Sequence, residues 1–324
     1  MLLPEHQFAK PASLDESLEL LADTAGVSKL VSGGTDVIFN MRARLFTPDV
    51  LLSLKDLPEL QTVTGRDDGS LAIGAGCRLS DLERHPLVLQ FPGLVAGLRA
   101  VASRHVRNMA TLGGNLNLDT RCWYTNQTAE WREAKGPCLK TGVAVCHAIK
   151  SSDICVALNN SDVAPALIAL DAEVTLVSKN GERTLRLVDF YTDDGVLHTQ
   201  RRADEIMSLI TVPATSDRMI YIKETARKGN DFAYATIAAL ADGAGEQCSK
   251  ATIVLGSLST RPIVLQRPAQ LIAERGLGDA AIEQAVEAVR DELGVLTNLY
   301  TPAAYKSRIS RALVREALRE LRQH

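Results

Sequence analysis

The sequence has no run of 18 or more apolar residues, so no membrane-spanning helix is expected. Its start, Met1-Leu2-Leu3-Pro4-Glu5-His6, lacks the charged head and long apolar stretch of a signal peptide, and a cytoplasmic location follows as the default. Charge of one sign is scarce as well. Lys and Arg number 36 against 39 Asp and Glu, a net charge of -3, which offers no large field for nucleic acid. No internal repeat or low-complexity segment is present. No C-x2-C pair occurs, so the usual zinc-ribbon spacing is missing. Gly74-Ala75-Gly76 lacks the third glycine of a dinucleotide fingerprint, because Leu79 holds that position. The doubly wound nicotinamide-binding fold is therefore not supported. No Ser–His–Asp or paired-carboxylate arrangement stands out, and substrate chemistry is not expected on this chain.

What is present is an ordinary globular composition, 46% hydrophobic and 23% charged, over 324 residues. That length is enough for two or three domains with a sizeable core. Six cysteines occur: Cys77, Cys122, Cys138, Cys146, Cys155 and Cys248. In a cytoplasm they read as packing residues, metal ligands or catalysts rather than disulfides. Cys77 and Cys248 have no cysteine near them in sequence and read as core residues.

Ser13-Leu14-Asp15-Glu16 fits a capping box, with Leu14, Leu18 and Leu21 on one helical face and Gly26 ending the helix. Strands are expected at residues 29–32, 49–54, 71–75 and 205–212. Residues 173–178 and 183–187 flank Asn180-Gly181 as a hairpin. Ser80-Asp81-Leu82-Glu83 predicts a second capping box, and helices are expected at about 94–104 and 163–170. From Leu116 to Asn160 the periodicity breaks down. After Pro213 three antiparallel strands (219–223, 232–240 and 251–258) precede helices at 268–275, 280–293 and 302–322. Thr301-Pro302 marks the start of the last helix. A boundary near residue 215 divides the chain into 1–215 and 216–324. The first part splits into subdomains of about 1–55 and 56–215, the latter carrying a cysteine-rich insert at about 116–160.

Two strand-to-loop segments carry paired glycines: Ser32-Gly33-Gly34-Thr35-Asp36 and Thr111-Leu112-Gly113-Gly114-Asn115. Glycine lets a backbone approach a pyrophosphate, and its N–H groups form an anion-binding nest. Thr35 and Thr111 add hydroxyl donors, and Asp36 is placed to accept N–H groups of its own loop. A plain tight turn is the competing reading of each Gly-Gly.

The ordered set of segments resembles the medium, FAD-binding subunit of the xanthine dehydrogenase / carbon monoxide dehydrogenase (molybdenum hydroxylase) family, over nearly the whole chain. Residues 31–37 resemble its first FAD loop and 107–115 its second. Residues 161–167 resemble its acidic segment, and 223–234 the charged strand that closes over the flavin ring. The resemblance implies an α+β fold: a two-subdomain FAD-binding domain of the PCMH type, then a domain with a three-stranded antiparallel sheet and helices. It implies FAD contacts at Lys29, Leu30, Val31, Ser32, Gly33, Gly34, Thr35, Asp36, Val101, Thr111, Leu112, Gly113, Gly114, Asn115, Asp162 and Lys223. Some nicotinamide-reducing members have lysine where Tyr234 stands, which argues against NAD reduction here.

Cys122, Cys138, Cys146 and Cys155 are spaced C-x15-C-x7-C-x8-C. Four thiolates suit a [4Fe–4S] cluster or a structural zinc ion, and plain buried cysteines remain the bland alternative. In family members the second glycine loop leads to the acidic segment within about ten residues, so about 40 residues are extra here. An insert of this kind resembles the beta subunit of 4-hydroxybenzoyl-CoA reductases. That resemblance implies electrons passing from ferredoxin through [4Fe–4S] and FAD to two [2Fe–2S] clusters on a small subunit and molybdopterin on a large one. The assembly implied is a dimer of heterotrimers with no nucleic acid or membrane partner.

Trp123, Tyr124 and Trp131 read either as a shield for a cluster or as the insert's own small core. His147 and His105 read as hydrogen-bonding or surface residues. The basic stripe Lys306, Arg308, Arg311, Arg315, Arg319 and Arg322 reads as the solvated face of an amphipathic helix.

Overall fold

The computed structural model describes residues 2–294 and 301–324. Three sheets organise the chain. The first is parallel, β1 (Gln7–Ala9), β2 (Ser28–Val31) and β3 (Val50–Ser53) in the order β1-β3-β2. The helix Leu14–Asp23 leads into β2. Ser13 caps it by accepting the Glu16 N–H at 3.1 Å, and the Glu16 carboxylate accepts the Ala12 N–H at 2.6 Å. That satisfies two N–H groups near the helix start. The short helix Val37–Arg42 connects β2 to β3 as a crossover.

The second sheet has five strands in the order β4-β5-β8-β6-β7: β4 (Val63–Gly65), β5 (Leu71–Gly74), β6 (Glu173–Ser178), β7 (Gly181–Arg186) and β8 (Ile206–Val212). β6 and β7 form the hairpin that Asn180-Gly181 predicts, with Gly181 at φ +123°. The third sheet is antiparallel, β12-β11-β10-β9, with β9 (Arg218–Thr225), β10 (Ala233–Ala241), β11 (Ala251–Gly256) and β12 (Ile263–Val264). The two-residue β12 adds an edge to the three strands read from sequence. The α+β class and the helix-backed C-terminal sheet agree with the sequence reading.

β10 shows why the third sheet sits where it does. Alternate side chains point to opposite faces of a strand. Ala235, Ile237, Ala239 and Ala241 face the C-terminal helices, while Ala238 and Leu240 join the core beneath the second sheet. A strand buried on both faces needs a continuous apolar run, and AYATIAALA supplies one. The helix Ala164–Ala169 packs against this sheet; a β-carbon at Gly256 would lie 2.6 Å from the Pro165 ring.

Several local expectations give way to tertiary contacts. Ser80 is no cap: the helix begins at Leu79, whose N–H is held by the Ala110 carbonyl at 2.9 Å, and Glu83 pairs with Arg107 at 2.9 Å. The helix expected at 94–104 runs Pro92–Ala100, and Ser103 starts a separate turn at Arg104–Arg107. His105 on that turn is exposed. On the last helix, Ala303–Gln323, Lys306 is buried rather than solvated, at 2% exposure. Arg315 and Arg319 pair with Glu283, and Arg322 with Asp279, so part of the basic stripe is spent on the neighbouring helix Asp279–Glu292.

Candidate cofactor cleft and cysteine segment

The two glycine loops meet. A β-carbon at Gly33 would overlap the Met109 carbonyl oxygen, so the first loop can lie against the start of the second only without a side chain there. Gly34 adopts φ +74°. In the second loop Thr111 caps the short helix Leu112–Leu116, accepting the Gly114 N–H at 3.2 Å and leaving its hydroxyl hydrogen free. The Gly113 N–H donates to the Ala75 carbonyl at 2.8 Å. Ala75 and Gly76 are therefore the shelf under the second loop. They line the cleft although they are no dinucleotide fingerprint.

Between these loops lies a cavity of about 610 Å³, within the usual range for ligand clefts. Of the residues implied as FAD contacts, all line it except Val31, Leu112 and Lys223. Val31 and Leu112 are buried immediately behind it. Lys223 acts through Asp162: its Nζ donates to the Asp162 carboxylate at 2.8 Å and to the Ala100 carbonyl at 2.9 Å. Burial pushes the Asp162 carboxyl up to about 6 against the pull of Lys223. From the C-terminal domain, Arg227, Asn230, Asp231 and Phe232, in the turn between β9 and β10, close one wall.

One end of the cleft is cationic. Lys29 stacks over the Phe46 ring with Nζ 3.9 Å from its centroid. Burial lowers the Lys29 pKa; Asp119 opposes this, whereas Arg201 and Lys140 add to it. His198 lies 3.9 Å from Asp119, and burial lowers its pKa too. Asp119, Arg201, His198 and Met207 line the cleft but carry no sequence signal of their own; the first three come from loops and Met207 from β8. Asp36 differs from expectation. It accepts from the side chains of Arg121 and Asn40 rather than from its own loop.

These features fit a flavin dinucleotide. Two glycine loops in close approach offer a cradle that side chains would fill, and the cationic end suits phosphate.

Arg121 and Leu158 exchange both backbone hydrogen bonds at 2.8 Å and close residues 122–157 into a compact excursion. A helix forms at Ala129–Lys135, capped by Thr128. Trp123, Trp131, Tyr124 and His147 make successive ring contacts at 6.5, 6.4 and 5.6 Å. They form a half-exposed aromatic patch on the segment. His147 Nε2 lies 3.1 Å from the Gly136 carbonyl oxygen. Lys140 ties the segment to the cleft floor through Asp119 and Thr120.

Cys122, Cys138, Cys146 and Cys155 all lie within this segment. Burial raises the Cys122 pKa, and Cys138 and Cys146 lie near enough to raise it further. Burial pushes Cys155 up to about 11, with a smaller contribution from Cys122. The Ile149 N–H points to Cys146 Sγ at 3.4 Å, and the Thr125 hydroxyl lies 3.7 Å from Cys138 Sγ. N–H and O–H groups aimed at sulfur are what tune a cluster's thiolates. Among the described residues no group of three or more His, Cys, Asp or Glu side chains meets the geometry of a single metal ion. Four thiols are the number of protein donors that a [4Fe–4S] cluster takes. Cys77 is buried in the core, and Cys248 lies at the edge of the C-terminal core.

Residues 4–215 match the model of the FAD binding domain in molybdopterin dehydrogenase, and residues 220–321 match the CO dehydrogenase flavoprotein C-terminal domain. The chain belongs to the FAD-binding medium subunits of the molybdenum hydroxylase family, of the CO and xanthine dehydrogenase type. It is 30% identical to the aldehyde oxidoreductase FAD-binding subunit PaoB of Escherichia coli, over 91% of this chain and 92% of that one. It is 27% identical to the carbon monoxide dehydrogenase medium chain of Hydrogenophaga pseudoflava, covering 98% and 97%. The fold superposes on a solved carbon monoxide dehydrogenase from the same organism with a TM-score of 0.80 at 23% identity, covering 98% of each chain. On quinoline 2-oxidoreductase from Pseudomonas putida 86 the TM-score is 0.81 at 22% identity, covering 100% and 99%. No helix among the described residues is long and apolar enough to cross a membrane.

Proposed function

We propose that this chain is an electron-transfer subunit that holds FAD in the cleft and a [4Fe–4S] cluster on Cys122, Cys138, Cys146 and Cys155. The observation that carries the reading is the gathering of four thiols in one segment whose base, Arg121, is itself a wall of the cleft. The FAD contacts proposed are Lys29–Asp36, Val101, Thr111–Asn115, Asp162 and Lys223. When bound, FAD and the cluster supply one- and two-electron exchange between a redox partner and a molybdenum-bearing subunit. The protein's part is to bind them, exclude water and fix their separation.

We take the chain to divide near residue 215. Its partners in this reading are a large molybdopterin subunit and a small subunit with two [2Fe–2S] clusters, in a dimer of heterotrimers. Those two clusters need eight cysteine ligands, more than the six this chain has.

Two electron directions follow. The cysteine segment supports a reductase of the 4-hydroxybenzoyl-CoA type fed by ferredoxin, which removes a phenolic hydroxyl to give benzoyl-CoA. The likeness to an aldehyde oxidoreductase subunit, along nine-tenths of both chains, supports an oxidising dehydrogenase instead. Tyr234 lies against Tyr305, with ring centroids 5.8 Å apart, and does not line the cleft. In the oxidising reading FAD passes electrons to NAD or to a quinone, and Tyr234 in place of lysine argues against NAD.

The test is Cys138→Ser in the assembled complex. With FAD supplied in excess so that the flavin site stays filled, iron content and ferredoxin-linked turnover are expected to fall. Unchanged turnover would remove the segment from the route. Assaying the wild-type complex with aldehydes and with aryl-CoA thioesters then decides the direction.

A further inference from the structure

Arg121 occupies an unusual position. Its backbone closes the base of the cysteine segment through Leu158, with both hydrogen bonds at 2.8 Å. Its side chain leaves that segment and lines the cleft. There the guanidinium pairs with Asp36 in the first glycine loop and donates to Asn40 Oδ1 at 3.4 Å. Its far face lies 5.4 Å from the centre of the Phe232 ring, in the turn contributed by the C-terminal domain. Both charges are largely buried, with side-chain exposures of 14% for Arg121 and 18% for Asp36. Arg121 Nε has no hydrogen-bond partner among the described residues.

The electrostatics give this arrangement a consequence. A flavin dinucleotide carries two negative charges on its pyrophosphate. Asp36 stands in the same glycine loop and would repel them if bare. Among the described residues its one cationic partner is Arg121, which comes from outside the first subdomain. Asn40 can satisfy one carboxylate oxygen but cannot cancel the charge. Removing one member of a buried pair leaves the other uncompensated, and the cost is large. The dinucleotide would feel that leftover charge directly.

We propose that Arg121 is a positioning residue that couples the cysteine segment to the flavin cleft, so that the integrity of the segment sets the affinity for FAD. The inference rests on the cofactor reading above and adds a thermodynamic link to it. By reciprocity, bound FAD stabilises the closed segment to the same degree. A subunit whose segment is unmade thus holds its flavin loosely, and assembly of the two sites is ordered.

The measurement is the FAD dissociation constant of flavin-stripped full-length protein, by flavin fluorescence, in a double-mutant cycle. Arg121→Gln and Cys138→Ser are each expected to weaken FAD about tenfold, within the usual range of coupling between sites. The double variant is expected to be no weaker than Arg121→Gln alone. Arg121→Gln combined with Asp36→Asn should recover most of the loss, because the unpaired carboxylate is gone. That rescue also separates a charge effect from a folding defect. Multiplicative losses in the cycle would overturn the coupling. So would wild-type affinity in Arg121→Gln, or failure of Asp36→Asn to rescue. A wild-type chain that takes up no FAD would overturn the cofactor reading and this inference together, whereas FAD uptake unaffected by Arg121→Gln overturns this inference alone.

Discussion

Gly33 has no space for a β-carbon because the Met109 carbonyl oxygen already stands there. Gly33→Ala must push the two loops apart, and overpacking of this kind costs about 1–3 kcal/mol. Thermal unfolding should show the loss, and FAD retention should fall with it; a stable variant that keeps its flavin would mean the loops do not need this contact. Asp162 gives a prediction with a sign. Its folded pKa of about 6 lies above the usual carboxylate value of about 3.9. Protonation therefore contributes stability that is present in full below about pH 4 and lost as the pH rises through about 6. Lys223 opposes this by stabilising the charged form. Lys223→Met leaves a buried carboxylate unpaired, and its cost, about 3–5 kcal/mol, should be largest above pH 7 and shrink at pH 5. Urea unfolding of flavin-free protein at the two pH values checks it, and a loss that does not vary with pH would contradict the assignment.

At the scale of elements, the short helix Leu112–Leu116 depends on its Thr111 cap. Thr111→Ala should cost about 1 kcal/mol of stability, read from the urea midpoint. It should weaken FAD beyond that, since the hydroxyl also faces the cleft; equal FAD affinity would limit Thr111 to a structural role. Elements with local signals were legible in the sequence: the Ser13 cap, the Asn180-Gly181 turn and the doubly buried β10 each carry their cause in adjacent residues. Elements set by distant partners were not. β1 is three residues long and exists because β3 pairs with it. Ser80 looks like a cap, yet a hydrogen bond to the Ala110 carbonyl fixes the cap at Arg78, two residues earlier. The cleft followed the same rule. Its glycine loops were visible as motifs, while Arg121, Arg201 and His198 were not, because no local pattern announces a side chain that acts across the fold. The cysteine segment, with its aromatic patch and capped helix, was equally silent in periodicity.

The whole molecule joins three contributions at one cleft. The parallel sheet supplies the first glycine loop, and the five-stranded domain supplies the second together with the cysteine segment. The doubly buried third sheet is anchored to the core and presents the turn between β9 and β10, with Phe232, as a wall. In the proposed reading this layout places FAD and an iron–sulfur cluster in one chain and leaves substrate chemistry to another. The most direct test of that account is an anaerobic visible spectrum with iron, sulfide, zinc and flavin analysis of the purified chain. The account predicts one FAD with about four iron and four sulfide per chain. FAD with zinc and no iron would make the cysteine segment structural and contradict its place in electron transfer.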